Sequence, residues 1–199
     1  MSSYIFAPGP PIETTTSSYV TWDSGFTEEE LDRIDKYCLD NLVPNPAVVG
    51  SDGVVDLTIR SSQTAWINLN DETVWFYDRM AWIARKLNST FYGFDLTGFH
   101  EDFQYTIYNG EEKAHYDWHV DNSSMDSVPR KFSMVLQLSD PKDYEGGNLE
   151  IKAGNTPDIV DKKRGLVAAF PAYRLHRVSP VKKGIRKSIV IWVVGPAFR

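Results

Sequence analysis

The chain has 199 residues, of which 42% are hydrophobic and 24% charged, a composition that predicts one soluble globular domain with a single core. Its formal net charge of −6 argues against a general binder of nucleic acid or of anionic membranes. Cys38 is the only cysteine, which excludes an intrachain disulfide and a cysteine-based zinc cluster, so any metal must be held by histidine and carboxylate.

Neither a secretion signal nor a membrane segment is expected. The chain begins MSSYIFAPGPP, without the basic stretch and the apolar run of a signal peptide. No stretch approaches the roughly 20 apolar residues of a membrane helix. These features predict a cytoplasmic protein with no membrane partner.

Two helices are predicted in the first half of the chain. The segment TEEELDRIDKYCLDNL begins with Thr27 and Glu30 at the spacing of a capping box. Its apolar stripe consists of Ile34, Cys38 and Leu42. The segment NDETVWFYDRMAWIARKLN also repeats apolar residues at helical spacing, and these are Val74, Tyr77, Met80, Ala81, Ala84 and Leu87.

From Phe103 onward, short β-branched and aromatic runs alternate with turn residues. The runs are FQYTIYN, AHYDWHVD, FSMVLQLS, GNLEIKA, GLVAAFPA, LHRVSPV and RKSIVIWVVG. Gly146 and Gly147 are interpreted as a tight turn or bulge before one of these runs. The predicted fold is α+β and mainly β: an antiparallel sandwich or barrel over residues 101–199, supported from outside by the helices of residues 20–100.

The pattern His-x-Asp occurs twice in the stretch AHYDWHVDNS, as His115 with Asp117 and as His119 with Asp121. On an extended strand alternate side chains share one face, so both pairs have the local geometry of a metal site. The spacing alone leaves the choice between the two pairs open.

A further histidine, His176, stands alone downstream in FPAYRLHRVSPV. Two histidines and one carboxylate are the ligands of the facial triad of non-haem iron(II) enzymes, which leaves positions for an organic acid and for dioxygen. Arg186 follows ten residues later, with Gly184 between them to let the chain turn back. Its guanidinium could then pair with the carboxylate of an acid that reaches from the metal.

Residues from about 105 to 195 resemble the catalytic core of the iron(II)- and 2-oxoglutarate-dependent dioxygenases, in particular the prolyl-hydroxylase-like branch with its bacterial PKHD-type hydroxylases. The motifs that carry the resemblance are YDWHVDN, LSDPKDYEGGNLEI and FPAYRLHRVSPVKKGIRKSIVIW. The resemblance implies a double-stranded β-helix, or jelly roll, and a single dioxygenase domain over residues 1–199.

The resemblance also distinguishes the two His-x-Asp pairs. The family places an aromatic residue three positions before its first metal histidine, and Tyr116 stands in that relation to His119. His119, Asp121 and His176 are therefore the implied iron(II) ligands. Arg186 is the implied anchor for 2-oxoglutarate.

Two more residues are implied on the 2-oxoglutarate side. Tyr108 matches a tyrosine that the family places about ten residues before the first ligand, where it lines the cosubstrate pocket. Gln137 occupies a strand position where some relatives carry a tyrosine that contacts 2-oxoglutarate, and its amide could replace that contact. His115 and Asp117 are interpreted as polar surface residues.

The implied activity is hydroxylation, with 2-oxoglutarate converted to succinate and carbon dioxide and with L-ascorbate keeping the iron reduced. The expected substrate is a proline in a protein or peptide, because the net charge of −6 does not suit a nucleic acid and an extended peptide could be covered by a lid of residues 44–58. The alternatives are a free amino acid or other small-molecule substrate, a zinc hydrolase, and a catalytically silent binding module. The sequence leaves the oligomeric state open.

Overall fold

The computed structural model of the chain describes residues 17–49, 54–121 and 128–197. The N-terminal stretch in which no secretion signal was found lies outside these residues. The same holds for residues 50–53, in the middle of the predicted lid. None of the described helices is long and apolar enough to cross a membrane.

The first predicted helix is confirmed as α1 (Glu28–Asn41). The Thr27 hydroxyl accepts a hydrogen bond from the backbone N–H of Glu30, and the Glu30 carboxylate accepts one from the backbone N–H of Thr27. This is the predicted capping box, and it explains why the helix begins at this point. Ile34 and Cys38 of the predicted stripe are buried.

The second predicted helix is confirmed as α2 (Val74–Leu87), followed by one π-helical turn at Asn88–Tyr92. Four of the predicted apolar positions are buried. Val74 is 43% exposed, because it is the first residue of the helix and precedes the face that packs against the core. Phe76 and Ile83, which the predicted stripe omitted, are buried instead.

The described residues form twelve strands. They are β1 (Val20–Trp22), β2 (Asn45–Pro46), β3 (Gln63–Ile67), β4 (Phe103–Asn109), β5 (Tyr116–His119), β6 (Arg130–Gln137), β7 (Tyr144–Gly146), β8 (Leu149–Lys152), β9 (Asp158–Ile159), β10 (Val167–Pro171), β11 (Leu175–Val178) and β12 (Val181–Val194). The seven predicted runs correspond to β4, β5, β6, β8, β10, β11 and β12. The other five strands, of two to five residues, were not predicted.

The strands form two antiparallel sheets. The large sheet has the order β1-β10-β6-β12-β4-β3-β2, with β7 paired to β12, and the small sheet has the order β5-β11-β8-β9. The predicted class, mainly β with helices, is confirmed, and the two-sheet arrangement is consistent with a jelly roll. The N-terminal support is not purely helical as predicted, because β1, β2 and β3 also extend the large sheet.

Alternation along β12 determines where a cavity can form. The side chains of Ile189 and Val193 join the hydrophobic core on the face that carries the helices. The side chains of Arg186 and Trp192, an even number of residues apart, line a cavity on the opposite face. The large sheet therefore separates the hydrophobic core, which the helices cover, from a cavity that faces the small sheet.

Candidate metal centre and active site

Three potential metal ligands meet in this cavity: His119, Asp121 and His176. One ligand atom of each lies within 4.8 Å of the others. The Asp121 carboxylate lies near both rings, with Oδ1 at 3.7 Å from His119 Nε2 and Oδ2 at 3.4 Å from His176 Nε2. The two histidines and the carboxylate that were predicted to act together are thus brought together by the fold.

Strand pairing explains this arrangement. His119 is the last residue of β5 and lies directly opposite His176 of β11 in the antiparallel register, so that the two rings are neighbours. Asp121 follows two residues later on the same face, and its backbone N–H donates to Ala172 O at 2.8 Å. The period-two argument from the sequence therefore holds for this pair.

Both imidazole rings are oriented by backbone carbonyls. Nδ1 of His119 lies 2.7 Å from Asp117 O, and Nδ1 of His176 lies 2.9 Å from Arg174 O. A carbonyl oxygen only accepts, so each Nδ1 carries the hydrogen and each Nε2 is directed at the cluster. Outer contacts of this kind commonly fix metal-binding histidines.

The pKa values of the cluster residues also favour the binding of a cation. Burial opposes ionisation of Asp121, but His176, His119 and the Ser133 hydroxyl, which donates to Oδ2 at 2.7 Å, hold its pKa below the usual range. Burial, helped by His176, lowers the pKa of His119 to about 4. Asp121 is therefore ionised and His119 neutral at neutral pH, as metal binding requires. Burial lowers the pKa of His176, but the Asp121 carboxylate outweighs burial and raises it, so a bound cation would take the place of a proton on that ring.

Tyr116 and Arg60 form one wall of the cluster. The Tyr116 ring stacks on His119, with centroids 3.5 Å apart and planes inclined by 15°. The Arg60 guanidinium lies 4.4 Å from the Tyr116 ring and donates to Gln104 Oε1 at 2.8 Å. The sequence did not predict a place for Arg60 in the site, because this residue belongs to an irregular segment with no recognisable pattern.

The competing pair, His115 and Asp117, lies outside the cluster. His115 Nδ1 is 3.0 Å from Ser61 Oγ and its Nε2 is 3.2 Å from Thr58 O. Asp117 is exposed and accepts from the backbone N–H of Trp118. Asp117 is a surface residue as interpreted, whereas His115 is half-buried and ties a loop segment to β5.

Arg186 is 1% exposed and lies deeper in the same cavity. Its Nη1 donates to Ser188 Oγ at 3.1 Å and its Nη2 to Gln137 Oε1 at 3.0 Å. Its Nε has no hydrogen-bond partner, and no carboxylate among the described residues forms an ion pair with this guanidinium. An unpaired buried charge costs several kcal/mol, so the pocket is suited to an anionic ligand.

Tyr108 and Gln137 both contact Arg186, but from different sides. The Arg186 guanidinium carbon lies 5.2 Å from the Tyr108 ring, which lines the cavity. Gln137 lies outside the cavity lining, and its amide oxygen accepts from the guanidinium. In this arrangement Gln137 orients the arginine, while the arginine and Tyr108 face the cavity.

Gly184 has a different role from the predicted one. The chain turns back at residues 179–180, between β11 and β12, and Gly184 lies inside β12 opposite Tyr144 of β7. A Cβ there would lie 1.9 Å from Asp143 O, so glycine permits the close approach of β7. Gly146 and Gly147, with φ of +77° and +58°, form the turn into β8 that the sequence analysis predicted.

Replacing Gly147 by alanine is expected to destabilise the fold. Its φ is +58°, and the added Cβ would lie 2.7 Å from Val181 Cγ2 and 3.0 Å from Arg186 Cδ. Left-handed backbone strain and this crowding together should lower the free energy of unfolding by about 2 to 4 kcal/mol in urea denaturation. Gly154→Ala is the matched control, since its Cβ would meet nothing within 4 Å. Equal losses in the two variants would contradict the argument.

The cavity has a volume of about 520 Å³ and extends from Arg186 past the three potential ligands to an aromatic mouth. At the mouth, the rings of Trp66 and Trp192 lie 6.2 Å apart. One cavity therefore contains a cluster suited to a cation, a buried arginine without an anion, and an aromatic entrance. A metal-bound organic acid whose far end carries a carboxylate fits this arrangement.

Sequence comparison matches residues 103–194 to the model of the 2OG-Fe(II) oxygenase superfamily. Among curated proteins, the chain is 38% identical over 90 residues to a PKHD-type hydroxylase from Synechococcus sp. (strain CC9311), an alignment that covers 45% of this chain and 41% of the relative. That alignment therefore spans about two fifths of the length of the relative. Residues 103–194, which match the family model, include His119, Asp121 and His176.

Two solved structures share the fold over most of the chain. A Pseudomonas putida prolyl-4-hydroxylase superimposes with a TM-score of 0.67 at 23% identity, covering 92% of this chain and 95% of that one. A Trichoplax adhaerens prolyl hydroxylase, solved with a peptide fragment of the hypoxia inducible factor oxygen degradation domain, gives a TM-score of 0.72 at 17% identity, covering 90% and 84%. These similarities extend to the N-terminal helices and strands that the family model leaves out.

Proposed function

Since residues 103–194 match the model of the 2OG-Fe(II) oxygenase superfamily, we propose that the chain is an iron(II)- and 2-oxoglutarate-dependent hydroxylase. The observation that carries this proposal is the joint presence, in one cavity, of the cluster His119, Asp121 and His176 and the buried, anion-free Arg186. A zinc hydrolase would need the first feature but would leave the second without a role. A silent binding module would need neither.

The three ligands would hold iron(II) through His119 Nε2, His176 Nε2 and the Asp121 carboxylate. The chemistry that iron(II) supplies when bound is dioxygen activation, in which 2-oxoglutarate is oxidised to succinate and carbon dioxide while a substrate C–H becomes C–OH. The carbonyls of Asp117 and Arg174 keep the two rings aimed inward, and the Ser133 hydroxyl keeps the carboxylate in place. These contacts hold the two rings and the carboxylate in fixed positions relative to one another.

Arg186 would bind the far carboxylate of 2-oxoglutarate. Ser188 and Gln137 accept from its two terminal nitrogens and hold the guanidinium plane in position. A ligand carboxylate would neutralise a charge that no described side chain neutralises. The Tyr108 ring would then close one side of the cosubstrate pocket and exclude water from it.

The proposed substrate is a prolyl residue in a polypeptide. Aromatic-lined grooves accept proline rings and extended proline-containing peptides, and Trp66 and Trp192 form such a mouth. The peptide-bound structure of the Trichoplax adhaerens relative is in keeping with this substrate. The net charge of −6 does not favour a nucleic acid backbone.

Charges at the mouth argue against a free amino acid. Besides the metal-ligand cluster and Arg186, the charged side chains in the described cavity lining are Glu101, Arg130 and Arg60. Arg130 and Glu101 form a bidentate ion pair with each other, and Arg130 also lies 3.7 Å from the Trp192 ring. With this pair already formed, neither Arg130 nor Glu101 is free to hold the charges of a zwitterion beside Trp192, which favours a neutral residue within a chain at that wall.

The direct test incubates the purified chain with iron(II), 2-oxoglutarate, L-ascorbate and a proline-rich peptide. We expect succinate and a peptide heavier by about 16 Da, the mass of one inserted oxygen atom, in equal amounts. Ascorbate is included because it would return oxidised iron to iron(II). Zinc in place of iron(II) is the matched control and should give neither product.

Three outcomes would contradict the proposal in different ways. Peptide hydrolysis with zinc and no succinate would indicate the hydrolase. Iron(II) binding without any succinate would indicate a silent module. Succinate formation driven only by free amino acids would retain the hydroxylase and overturn the peptidyl substrate.

A further inference from the structure

Lys162 is a partly buried cation without a carboxylate partner among the described residues. It lies in the connection between β9 and β10. Its Nζ donates to Gly146 O and lies 4.9 Å from the centre of the Tyr144 ring. The charge is therefore held in place without being neutralised.

The connection that carries Lys162 is fixed at both ends. The backbone N–H of Val160 donates to Leu149 O at 2.9 Å, which attaches the connection to β8. The backbone N–H of Gly165 donates to Gln137 O at 2.8 Å. Gln137 is also the residue whose amide oxygen accepts from Arg186. The backbone on either side of Lys162 is thus held in a fixed position relative to the Arg186 end of the cavity.

The Tyr144 ring lies beside both cations. It is 5% exposed. A Cβ on Gly147 would lie 3.4 Å from Tyr144 Cε2 and 3.0 Å from Arg186 Cδ, so the ring and the arginine side chain approach the same point. Burial raises the pKa of Tyr144 against the opposing charge of Arg186, and its hydroxyl is therefore uncharged at neutral pH. Lys162 and Arg186 thus share a neutral neighbour.

The two cations also influence each other. Burial lowers the pKa of Lys162, and the charge of Arg186 lowers it further. Because like charges repel, each cation makes the other less favourable in the ligand-free protein. An anion bound at Arg186 would offset this repulsion and would be attracted by both cations.

We propose that Lys162 is a second cation for the cosubstrate, acting across the Tyr144 ring on the carboxylate that Arg186 binds. The inference rests on the proposed function above and adds a residue that determines cosubstrate specificity. Lys162 is not among the residues that line the described cavity, so it acts through space rather than by contact. It should favour a 2-oxo acid with a charged far end over one of the same length with an uncharged far end.

The test measures the binding of two 2-oxo acids to the full chain, loaded with iron(II) under nitrogen. One is 2-oxoglutarate, titrated calorimetrically at low and at high salt. The other is 2-oxopentanoate, in which a methyl group replaces the far carboxylate, measured by its displacement of 2-oxoglutarate. The variants are Lys162→Met and Lys162→Arg. The matched control is Lys163→Met, which removes the same charge from the neighbouring residue, whose Nζ pairs with the exposed Asp23 at 2.6 Å.

Lys162→Met should raise the Kd for 2-oxoglutarate about threefold to tenfold at about 50 mM salt, the effect expected of one partly screened charge. At about 500 mM salt the difference from the unmodified chain should fall below about twofold. The KM for 2-oxoglutarate should rise in parallel, and kcat should stay unchanged because Lys162 touches no reacting atom. The affinity for 2-oxopentanoate should not change. Lys162→Arg, which keeps the charge, and Lys163→Met should both behave like the unmodified chain.

The other outcomes separate this inference from the proposed function. An equal loss of affinity for both acids, or a loss that persists at high salt, would give Lys162 a structural role at Gly146 and overturn the inference. A Lys162→Met protein that behaves like Lys163→Met would also overturn it and leave the hydroxylase intact. A salt-dependent loss of 2-oxoglutarate affinity, without succinate from any peptide, would support the second cation and overturn the hydroxylase. If the unmodified chain bound no 2-oxoglutarate, both would be wrong.

Discussion

Alanine in place of His119, Asp121 or His176 is expected to abolish hydroxylation and tight iron(II) binding. Each residue supplies one of the three potential ligand atoms that the described part of the chain brings within 4.8 Å of one another. Removing an outer contact of a metal ligand typically costs about 10- to 100-fold in affinity, so loss of a ligand itself should exceed about 100-fold. Anaerobic calorimetry with iron(II) measures the affinity, and succinate release measures turnover.

Two other histidines serve as controls for this expectation. His100 is exposed, and His100→Ala should leave iron(II) binding and turnover unchanged. His115→Ala should retain iron(II) binding, because its ring contacts Ser61 and Thr58 rather than the cluster. A His119→Ala protein that kept its metal while His115→Ala lost it would show that the other His-x-Asp pair binds iron.

Arg186→Met is expected to weaken 2-oxoglutarate binding far more than iron(II) binding. Loss of a desolvated charged contact to a carboxylate costs about 2 to 5 kcal/mol, which corresponds to a rise in Kd of roughly 30- to 5,000-fold. Iron(II) affinity should change little, because the guanidinium belongs to the far end of the cavity. Calorimetric titration of the iron-loaded protein with 2-oxoglutarate under nitrogen gives both values.

The same substitution should also affect the thermal stability of the ligand-free protein. The guanidinium is buried without a described carboxylate partner, and methionine of similar length would remove that uncompensated charge. The loss of partners for Gln137 and Ser188 offsets part of this gain. The ligand-free variant should therefore melt at or above the temperature of the unmodified chain. Arg85→Ala, at an exposed position in the last turn of α2, is the control. If Arg186→Met lowered the melting temperature strongly and Arg85→Ala did not, Arg186 would be required for the fold rather than for binding an anion.

The parts of the fold that the sequence predicted are those with long repeating patterns. Both helices and the seven predicted strands, which have four to fourteen residues, are long enough for a period to appear, and the Thr27 capping box marks the start of α1. The strands β2 and β9 have two residues each, and their extended form comes from pairing with β3 and β8. Such pairing is a property of the assembled sheet and leaves no local pattern.

The site residues also fall into those that a sequence motif locates and those that only the folded chain brings together. The His119 pair and Arg186 could be located because their spacing repeats a known motif, and strand alternation accounts for their common face. Arg60 stacks on Tyr116 only because an irregular segment folds back onto β5. The position of Gly184 was misinterpreted because a glycine that admits a neighbouring strand looks, in sequence, like one that makes a turn.

The direct pairing of His119 with His176 also determines where this chain tolerates changes in length. The two histidines are adjacent only while β5 and β11 keep their register, and a one-residue insertion inside either strand would turn one ring to the opposite face. Residues 153–157, in the exposed connection between β8 and β9, carry no such constraint. Among descendants of one ancestral gene, insertions and deletions should therefore accumulate in that connection, while the lengths of β5 and β11 stay fixed.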